Sequence, residues 1–193
     1  MDRTESTELL HRAKGGCNEA LNALLEHCAG KLLALIRLRL GRGLRAHLES
    51  QDILQASLLK AFEHITQFER GDTRSLMAWL ARIAENEIRD QADYHGRQRR
   101  DAARAVPLES ELETMAAQVR SLVSGIILNE ATERLVRALE ALDDRYREII
   151  VLRKFEELSF REISERLGKS PDACRMLLAR ALAALTLKAK EAT

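Results

Sequence analysis

Residues 158–185, LSFREISERLGKSPDACRMLLARALAAL, contain the signals for two short helices joined by a tight turn. Ser159 and Glu162 have the spacing of a capping box, in which each side chain accepts a hydrogen bond from the other residue's backbone amide. Gly168 follows where the end of a helix favours a residue that tolerates a left-handed backbone. The pair Ser170-Pro171 suits the N-cap and first residue of a second helix. The stretch therefore predicts a helix-turn-helix, a motif that places its second helix in the DNA major groove.

The second helix of this motif has an apolar and a polar side, at about 100° of rotation per residue. The apolar residues, which we expect to pack on the first helix, are Cys174, Leu178, Ala181 and Leu185. The candidate DNA-contacting residues, on the opposite side and at the start of the helix, are Ser170, Asp172, Ala173, Arg175, Met176 and Arg180. An ordinary helical hairpin with a solvated basic face is the alternative. The capping and turn signals together favour DNA binding.

Charge is distributed unevenly along the chain. Six basic residues and one acid lie between Arg166 and Lys190, although the formal net charge of the whole chain is only +1. Such a local positive concentration favours binding to phosphates. From Val106 to Asp144 the sign reverses, with eight acids against three arginines.

The composition predicts an all-α protein. Aromatic residues make up 4% of the 193 residues, prolines number two, and apolar residues recur at spacings of three and four almost throughout. Pro107 and the pair Ser124-Gly125 interrupt the acidic stretch. We therefore predict two small helical domains, an N-terminal helical bundle at 1–105 and a C-terminal helix-turn-helix domain at 129–193, joined by an acidic linker at 106–128.

Several classes of function are disfavoured. Three cysteines form an odd set without paired metal-ligand spacing, which favours a reducing compartment and no metal. The longest apolar run, residues 32–36, is too short to span a bilayer, and the N-terminus lacks the apolar core of a signal peptide. No catalytic motif or phosphate-binding glycine loop is present. We expect a cytoplasmic protein that is not an enzyme, needs no cofactor and does not insert into a membrane.

Two helices stand out in the N-terminal part. Ser50 is expected to cap the first, with Gln51 and Asp52 in its first turn. The second should begin at Thr73 or Ser75. Trp79 has the spacing of its buried residues, which favours a place in the core over a role as a platform for a stacked base. A polar ridge along the same helix consists of Arg82, Asn86, Arg89, Asp93 and Arg97.

Two separated blocks of the sequence resemble one family, the bacterial sigma factors. SQDILQ at 50–55, followed by LLKAF at 58–62, is similar to their AxDLVQxxFLxAW pattern. WLARIAEN at 79–86, with Asp90, is similar to their WLxxIAxNxxxD signature. The C-terminal block from 141 to 181, with the helix-turn-helix, resembles their second DNA-binding domain. The order and spacing resemble the small extracytoplasmic-function type, and residues 68–108 are similar to a planctomycete-type subgroup.

The resemblance implies a promoter-specificity subunit with core RNA polymerase and promoter DNA as partners. It implies that one helix docks on a coiled coil of the polymerase through Gln51, Asp52, Gln55, Leu59 and Glu63. It implies contacts to the promoter −10 element from Asp72, Thr73, Arg74, Arg82, Asn86, Arg89 and Arg97. The helix-turn-helix candidates would then contact the −35 element. An anti-sigma factor or another regulator is a common partner in the family, and the sequence identifies none.

The chain also departs from the family pattern. Glu85 and Asp93 stand where arginines are frequent, which would bring acids close to DNA. Leu177 replaces a frequent arginine and Ala173 a frequent threonine. These departures keep open an inactive sigma-like adaptor, beside a stand-alone regulator that binds duplex DNA through the helix-turn-helix alone.

Overall fold

The computed structural model describes residues 3–45, 47–68, 73–97, 110–126 and 130–191. These residues are helical or lie in turns, as the all-α prediction requires. They belong to two compact units, Met1–Ile127 and Leu128–Thr193.

The first unit contains five helices in its described part. They are α1 (Arg3–Lys14), α2 (Asn18–Leu44), α3 (Ser50–His64), α4 (Thr73–Arg97) and α5 (Ser110–Gly125), with a short 3-10 turn at Ile65–Gln67 after α3. α1, α3 and α4 all pack against α2, and α3 also packs against α4. Leu24, Leu32 and Ile36 of α2, Leu58 of α3 and Leu80 of α4 have no exposed surface. α2 is therefore the central helix of this unit.

The long central helix ends in a sharp bend. Gly41 has φ 59° and ψ 180°, a backbone conformation that interrupts α2 one turn before its end. Arg45 donates a hydrogen bond from its Nε to the Gly41 carbonyl at 3.0 Å, which stabilises the bend.

The start of α3 differs from the prediction. The N-cap residue is Glu49, whose backbone is extended at φ −79° and ψ 131°, and no side chain makes a capping hydrogen bond. The prediction that Ser50 caps this helix is therefore wrong, because Ser50 already belongs to its first turn. Gln51 and Asp52 do lie in the first turn, where a carboxylate interacts favourably with the helix dipole.

The segment predicted as a linker includes a packed helix. α5 lies against α3, and its Ala116, Val119 and Val123 are buried at spacings that place them on one face. The first compact unit accordingly extends to Ile127, beyond the predicted boundary at residue 105. The acidic composition and the breaks of 106–128 indicated a joint between two domains, with room for helices of its own near Leu112 to Leu122. The apolar stripe of α5 buries one side of such a helix against the first unit.

The second unit contains four α-helices in its described part, α6 (Glu130–Glu140), α7 (Asp144–Ile150), α8 (Phe160–Leu167) and α9 (Pro171–Glu191). α7 continues into one turn of π-helix at Val151–Phe155. Asp143 caps α7 by accepting from the Arg145 amide at 3.0 Å. The Arg145 guanidinium also donates to this carboxylate, and the two hydrogen bonds lower the pKa of Asp143.

The core of the second unit forms around α9. α6, α7 and α8 all pack against it. Leu139, Ile149, Leu152, Ile163 and Cys174 have no exposed surface. The predicted apolar side of α9 is thus confirmed for Cys174, Leu178 and Ala181, whereas Leu185 is half-buried.

Candidate functional site

The turn between α8 and α9 has the predicted local chemistry. Ser159 Oγ accepts from the Glu162 amide at 3.2 Å, and Glu162 Oε2 accepts from the Ser159 amide at 2.8 Å, which completes the capping box. Gly168 adopts the left-handed conformation, at φ 61° and ψ 33°. Ser170 Oγ then accepts from the Ala173 amide at 3.2 Å and caps α9. The helix-turn-helix prediction is confirmed in each of these details.

The first two turns of α9 form an exposed surface. All six candidate residues, Ser170, Asp172, Ala173, Arg175, Met176 and Arg180, are exposed, while Cys174 and Ala181 on the other side are buried. Met176 is the most exposed large apolar residue of this group, at 57%. The structure therefore brings the six residues to one end of α9 with their side chains accessible.

Arg175, the candidate base-contacting arginine, is already engaged by two neighbours. Its guanidinium forms an ion pair with the Asp172 carboxylate, one turn earlier on α9. It also lies over the Phe160 ring, with its Cζ 5.3 Å from the ring centroid. A second guanidinium, that of Arg153, lies over the same ring at 5.1 Å.

Sequence reasoning missed a buried acidic residue that pairs with an arginine of α8. Glu156 is 2% exposed and pairs with Arg166, whose Nη1 lies 2.9 Å from its carboxylate oxygen. Arg166 had been included in the basic surplus of the helix-turn-helix, but its charge is compensated inside the unit. The following residue, Glu157, has a positive φ of 59°, which is unusual for a residue with a side chain. No sequence pattern predicts this turn.

In the first unit, the polar ridge of α4 lies on the surface as predicted. Arg82, Asn86, Arg89 and Asp93 are exposed, and Leu76, Leu80 and Ala84 on the other side are buried. Thr73 begins α4, as one of the two predicted starts. The side chains of Thr73, Arg74 and Arg97, and the whole of Asp72, lie outside the described residues.

Glu85 does not extend the ridge toward the outside. Its Oε1 lies 3.2 Å from Arg39 Nε of α2, and both side chains are about four-fifths buried, at 22% and 19% exposed. The expectation that Glu85 brings an acid close to DNA stays a prediction, and the carboxylate concerned is paired with a cation of a neighbouring helix. Asp93 remains exposed beside the ridge.

Trp79 is half-buried and packs on the buried Phe68. The two ring centroids are 5.3 Å apart and the ring planes make an angle of 44°. Phe68 is 4% exposed, so the indole rests against the core. This contact agrees with a packing role for Trp79.

The docking candidates on α3 share one outward stripe. Gln51, Asp52 and Glu63 are exposed, and Gln55 and Leu59 are half-buried. At about 100° per residue, the five positions fall within a sector of about 120°. Ile53, Leu54 and Leu58 on the inner side are buried. The stripe thus forms an outward and mostly polar surface along the helix, with Leu59 as its apolar member.

α3 and α4 are joined by a charge cluster that the sequence did not suggest. Lys60 Nζ lies 2.5 Å from Glu87 Oε2 and 3.6 Å from Asp90 Oδ2. Glu87 is 5% exposed and also accepts from Gln91 Nε2 at 3.0 Å. The hydrogen bond to Glu87 is the main cause of the raised pKa of Lys60. The cluster connects the proposed docking helix with the helix of the arginine ridge.

The described residues offer no other obvious chemistry. No group of three or more His, Cys, Asp or Glu side chains among them is arranged to bind a metal ion. None of the helices described combines the length and apolar character needed to cross a membrane. None of the three cysteines, all of which are described, forms a disulfide; Cys28 and Cys174 are buried, and Cys17 is half-buried.

Comparison with known proteins identifies the class of these two units. Residues 24–100 match the family Sigma-70 region 2, and residues 132–185 match Sigma-70, region 4. The ECF RNA polymerase sigma factor SigD of Mycobacterium bovis is 30% identical over 171 residues, which are 88% of this chain and 77% of that protein. The ECF RNA polymerase sigma-E factor of Salmonella typhimurium is 27% identical over 159 residues, which are 81% of this chain and 79% of that protein.

A solved structure shares the fold. CnrH, determined in complex with the cytosolic domain of CnrY, superposes with a TM-score of 0.50 at 22% identity, covering 95% of this chain and 96% of that chain. The matched regions and relatives define a sigma-70-type transcription initiation factor. The chain belongs to the extracytoplasmic-function sigma factors of that family. Membership of the planctomycete-type subgroup stays a prediction.

Proposed function

We propose that this chain binds core RNA polymerase through the outward stripe of α3 and directs it to promoters. The exposed ridge of α4 would contact the −10 element, and the start of α9 the −35 element. The observation that supports this division most directly is that the described candidate residues lie on outward helix faces, on α3 and α4 in the first matched region and at the start of α9 in the second. The protein performs no chemistry in this function and needs no cofactor, and we expect it to work in the cytoplasm beside the polymerase.

The −35 contacts are assigned to α9. Arg175 and Arg180 supply donors for guanine edges or phosphates, and a bidentate arginine–guanine pair gives about 1–3 kcal/mol of discrimination. Ser170 and Ala173 lie at the start of the helix, where the positive end of the helix dipole favours a phosphate. Met176 offers an apolar contact, and Asp172 orients Arg175. Leu177 and Ala173, which depart from the family pattern, leave these contacts to the two arginines.

The −10 contacts are assigned to α4 and the segment before it. Arg82, Arg89 and Arg97 would contact phosphates, and Asn86 would donate to and accept from a base edge. Opening a duplex and extruding a base costs a few kcal/mol, which contacts to the exposed base must offset. Asp72, Thr73 and Arg74 are proposed for those contacts. Because Glu85 pairs with Arg39, its carboxylate does not oppose this role.

The docking contacts are assigned to Gln51, Asp52, Gln55, Leu59 and Glu63 of α3. Their acids and amides suit a basic partner surface, and Leu59 adds apolar area. Asp52→Ala should weaken association with core polymerase. Glu26→Ala, an exposed acid on α2, is the matched control. Equal association of both variants at equal thermal stability would refute the assignment.

Transcription with purified core polymerase tests the whole proposal. Wild-type protein added to core should produce defined transcripts from fragments of the host genome, and the mapped starts would give the promoter sequence. Arg175→Ala should reduce initiation by weakening −35 recognition by about 1–3 kcal/mol while core binding persists. Arg161→Ala, an exposed arginine on α8, is the control. Absence of any initiation would favour the inactive adaptor instead.

Gel shifts on the mapped promoters distinguish a sigma factor from a stand-alone DNA-binding regulator. If the chain is a sigma factor, tight and specific binding should occur only when core polymerase is present. Tight binding by the isolated chain would favour the regulator and overturn the division of roles. An anti-sigma factor or another regulator is a further proposed partner, in line with the CnrH–CnrY complex, and co-purification from the host would test it.

A further inference from the structure

The guanidinium of Arg175 is held before any DNA arrives. The Arg175 side chain is 56% exposed, and an arginine this exposed would sample many rotamers if it had no contacts. Instead it pairs with Asp172 on its own helix and lies over the Phe160 ring of α8. The two contacts come from different helices of the motif, and together they restrict where the guanidinium can point.

Phe160 is itself firmly placed. It is the first residue of α8, directly after the Ser159 capping box, so its backbone position is set by two hydrogen bonds. Arg153, in the π-helical turn, lies over the same ring and donates to the Leu158 carbonyl at 2.9 Å. The ring is therefore connected to the π-helical turn as well as to α8 and α9.

This arrangement has a consequence for base recognition. An arginine that binds a guanine edge must give up rotamer freedom when it binds, which weakens the complex. A guanidinium that contacts an aromatic face through its own face spends none of its N–H donors on that contact. Ordering of Arg175 by Phe160 would therefore lower the cost of recognition, and the ring would take none of the N–H donors that the ion pair with Asp172 leaves available.

We propose that Phe160 is a positioning residue for −35 recognition, which holds the guanidinium of Arg175 over its ring and thereby sharpens discrimination at the base that Arg175 reads. The inference rests on the proposed −35 role of Arg175. Phe160 contacts no base in this scheme and acts only through the arginine. Its effect belongs to sequence discrimination and should be absent from core binding.

The test uses the holoenzyme assembled from core polymerase and the full chain. A promoter obtained by start-site mapping is randomised across its −35 element, and the preference for each base is measured by initiation. Phe160→Leu removes the aromatic face and keeps apolar bulk, whereas Phe160→Tyr keeps the ring. We expect Phe160→Leu to lower discrimination at the Arg175 position by about 2- to 5-fold, and Phe160→Tyr to retain it.

Two comparisons separate positioning from a merely structural role. In an Arg175→Ala background, Phe160→Leu should change discrimination no further. Phe155→Leu, buried in the core of the same unit, is the control for destabilisation alone. Equal weakening on all −35 sequences, with and without Arg175, would overturn the proposal and leave Phe160 as a packing residue.

The Arg175→Ala variant separates a failure of the proposed −35 role of Arg175 from a failure of the positioning role of Phe160. If Arg175→Ala leaves every −35 preference unchanged, the assignment of Arg175 is wrong, and the inference falls with it. If Arg175→Ala abolishes one preference while Phe160→Leu leaves that preference intact, only the positioning role is refuted.

Discussion

Removing the ammonium group of Lys60 should destabilise the first unit, because it would leave the Glu87 carboxylate without its cation at the α3–α4 interface. The Glu87 side chain is only 6% exposed, whereas that of Lys60 is 43% exposed. The substitution Lys60→Met keeps most of the aliphatic length of the side chain and removes the charge. It therefore isolates the electrostatic part of the contact.

The expected magnitude follows from the burial of the two partners. Deleting one member of a fully buried ion pair costs about 3–5 kcal/mol. Here the cost of removing the cation should be smaller, because water already reaches Lys60 and screens the ion pair. Glu87 also keeps its hydrogen bond from Gln91. We expect a loss of about 1–2 kcal/mol, which corresponds to a fall of about 3–8 °C in the midpoint of the first unit.

Thermal and urea unfolding of the full chain, followed by circular dichroism, would measure this loss. Lys60→Arg should retain most of the stability. The double variant Lys60→Met/Glu87→Met should recover most of the loss, since an apolar pair replaces an unbalanced charge. An unfolding midpoint unchanged by Lys60→Met would refute the reasoning. So would a double variant whose loss of stability equals the sum of the losses of Lys60→Met and Glu87→Met measured singly.

The pH dependence gives a second check on the same contact. The pKa of Lys60 is raised in the folded protein by the carboxylates of Glu87 and Asp90. Because this pKa is raised, the charge of Lys60 contributes its full stabilisation below the ordinary lysine pKa of about 10.4. That stabilisation is lost as the pH rises through the pKa of Lys60 in the folded protein. The stability difference between wild type and Lys60→Met should thus be constant from pH 7 to about pH 10 and shrink above it.

Gly168→Ala should cost about 1 kcal/mol in urea unfolding, because φ is +61° there and a Cβ would meet nothing within 4 Å, so the penalty is conformational. Gly30→Ala, at a helical site of α2 that is equally open, should instead stabilise by about 0.5–1 kcal/mol; equal signs for the two would contradict this account. Asp143→Asn should make the second unit less sensitive to acid, since the lowered pKa of Asp143 contributes stability that is lost as the pH falls through the folded value; parallel acid titrations of wild type and variant would check it. Glu85→Arg should destabilise the first unit by placing a second cation beside Arg39, and the swap Arg39→Glu/Glu85→Arg should recover part of the loss; a fully stable Glu85→Arg would argue against the ion pair.

The parts of the fold that depend on neighbouring residues were predictable from the sequence. The capping box, Gly168 and the Ser170-Pro171 pair act within one helical turn, so their chemistry is visible in the order of residues. The apolar sides of α4 and α9 follow from helical periodicity in the same way. The exposed positions of Arg82, Asn86 and Arg89 were predictable for the same reason.

Other features depend on residues that are distant in sequence. The pairs Arg39–Glu85 and Lys60–Glu87 join different helices, and no local pattern marks them. The place of α5 against α3 was obscured by acidic composition, although Val119 and Val123 already had a helical spacing. The Glu156–Arg166 pair lies beside a turn with a positive φ at Glu157, and composition signals neither feature. Which exposed residues touch DNA depends on partners, so the site assignments stay predictions.

The pairing of Arg166 with Glu156 and of Arg175 with Asp172 also affects how binding should respond to ionic strength. Of the six basic residues between Arg166 and Lys190, at least these two are compensated by acids of the same unit. Each phosphate that a basic residue neutralises contributes about −0.9 to the slope of log affinity against log salt. If these two arginines stay paired with their acids and neutralise no phosphate, the slope becomes flatter by about 2. With fewer phosphates neutralised, the affinity of this domain for DNA by itself would be lower, and attachment to a larger enzyme would compensate by raising its local concentration at the promoter.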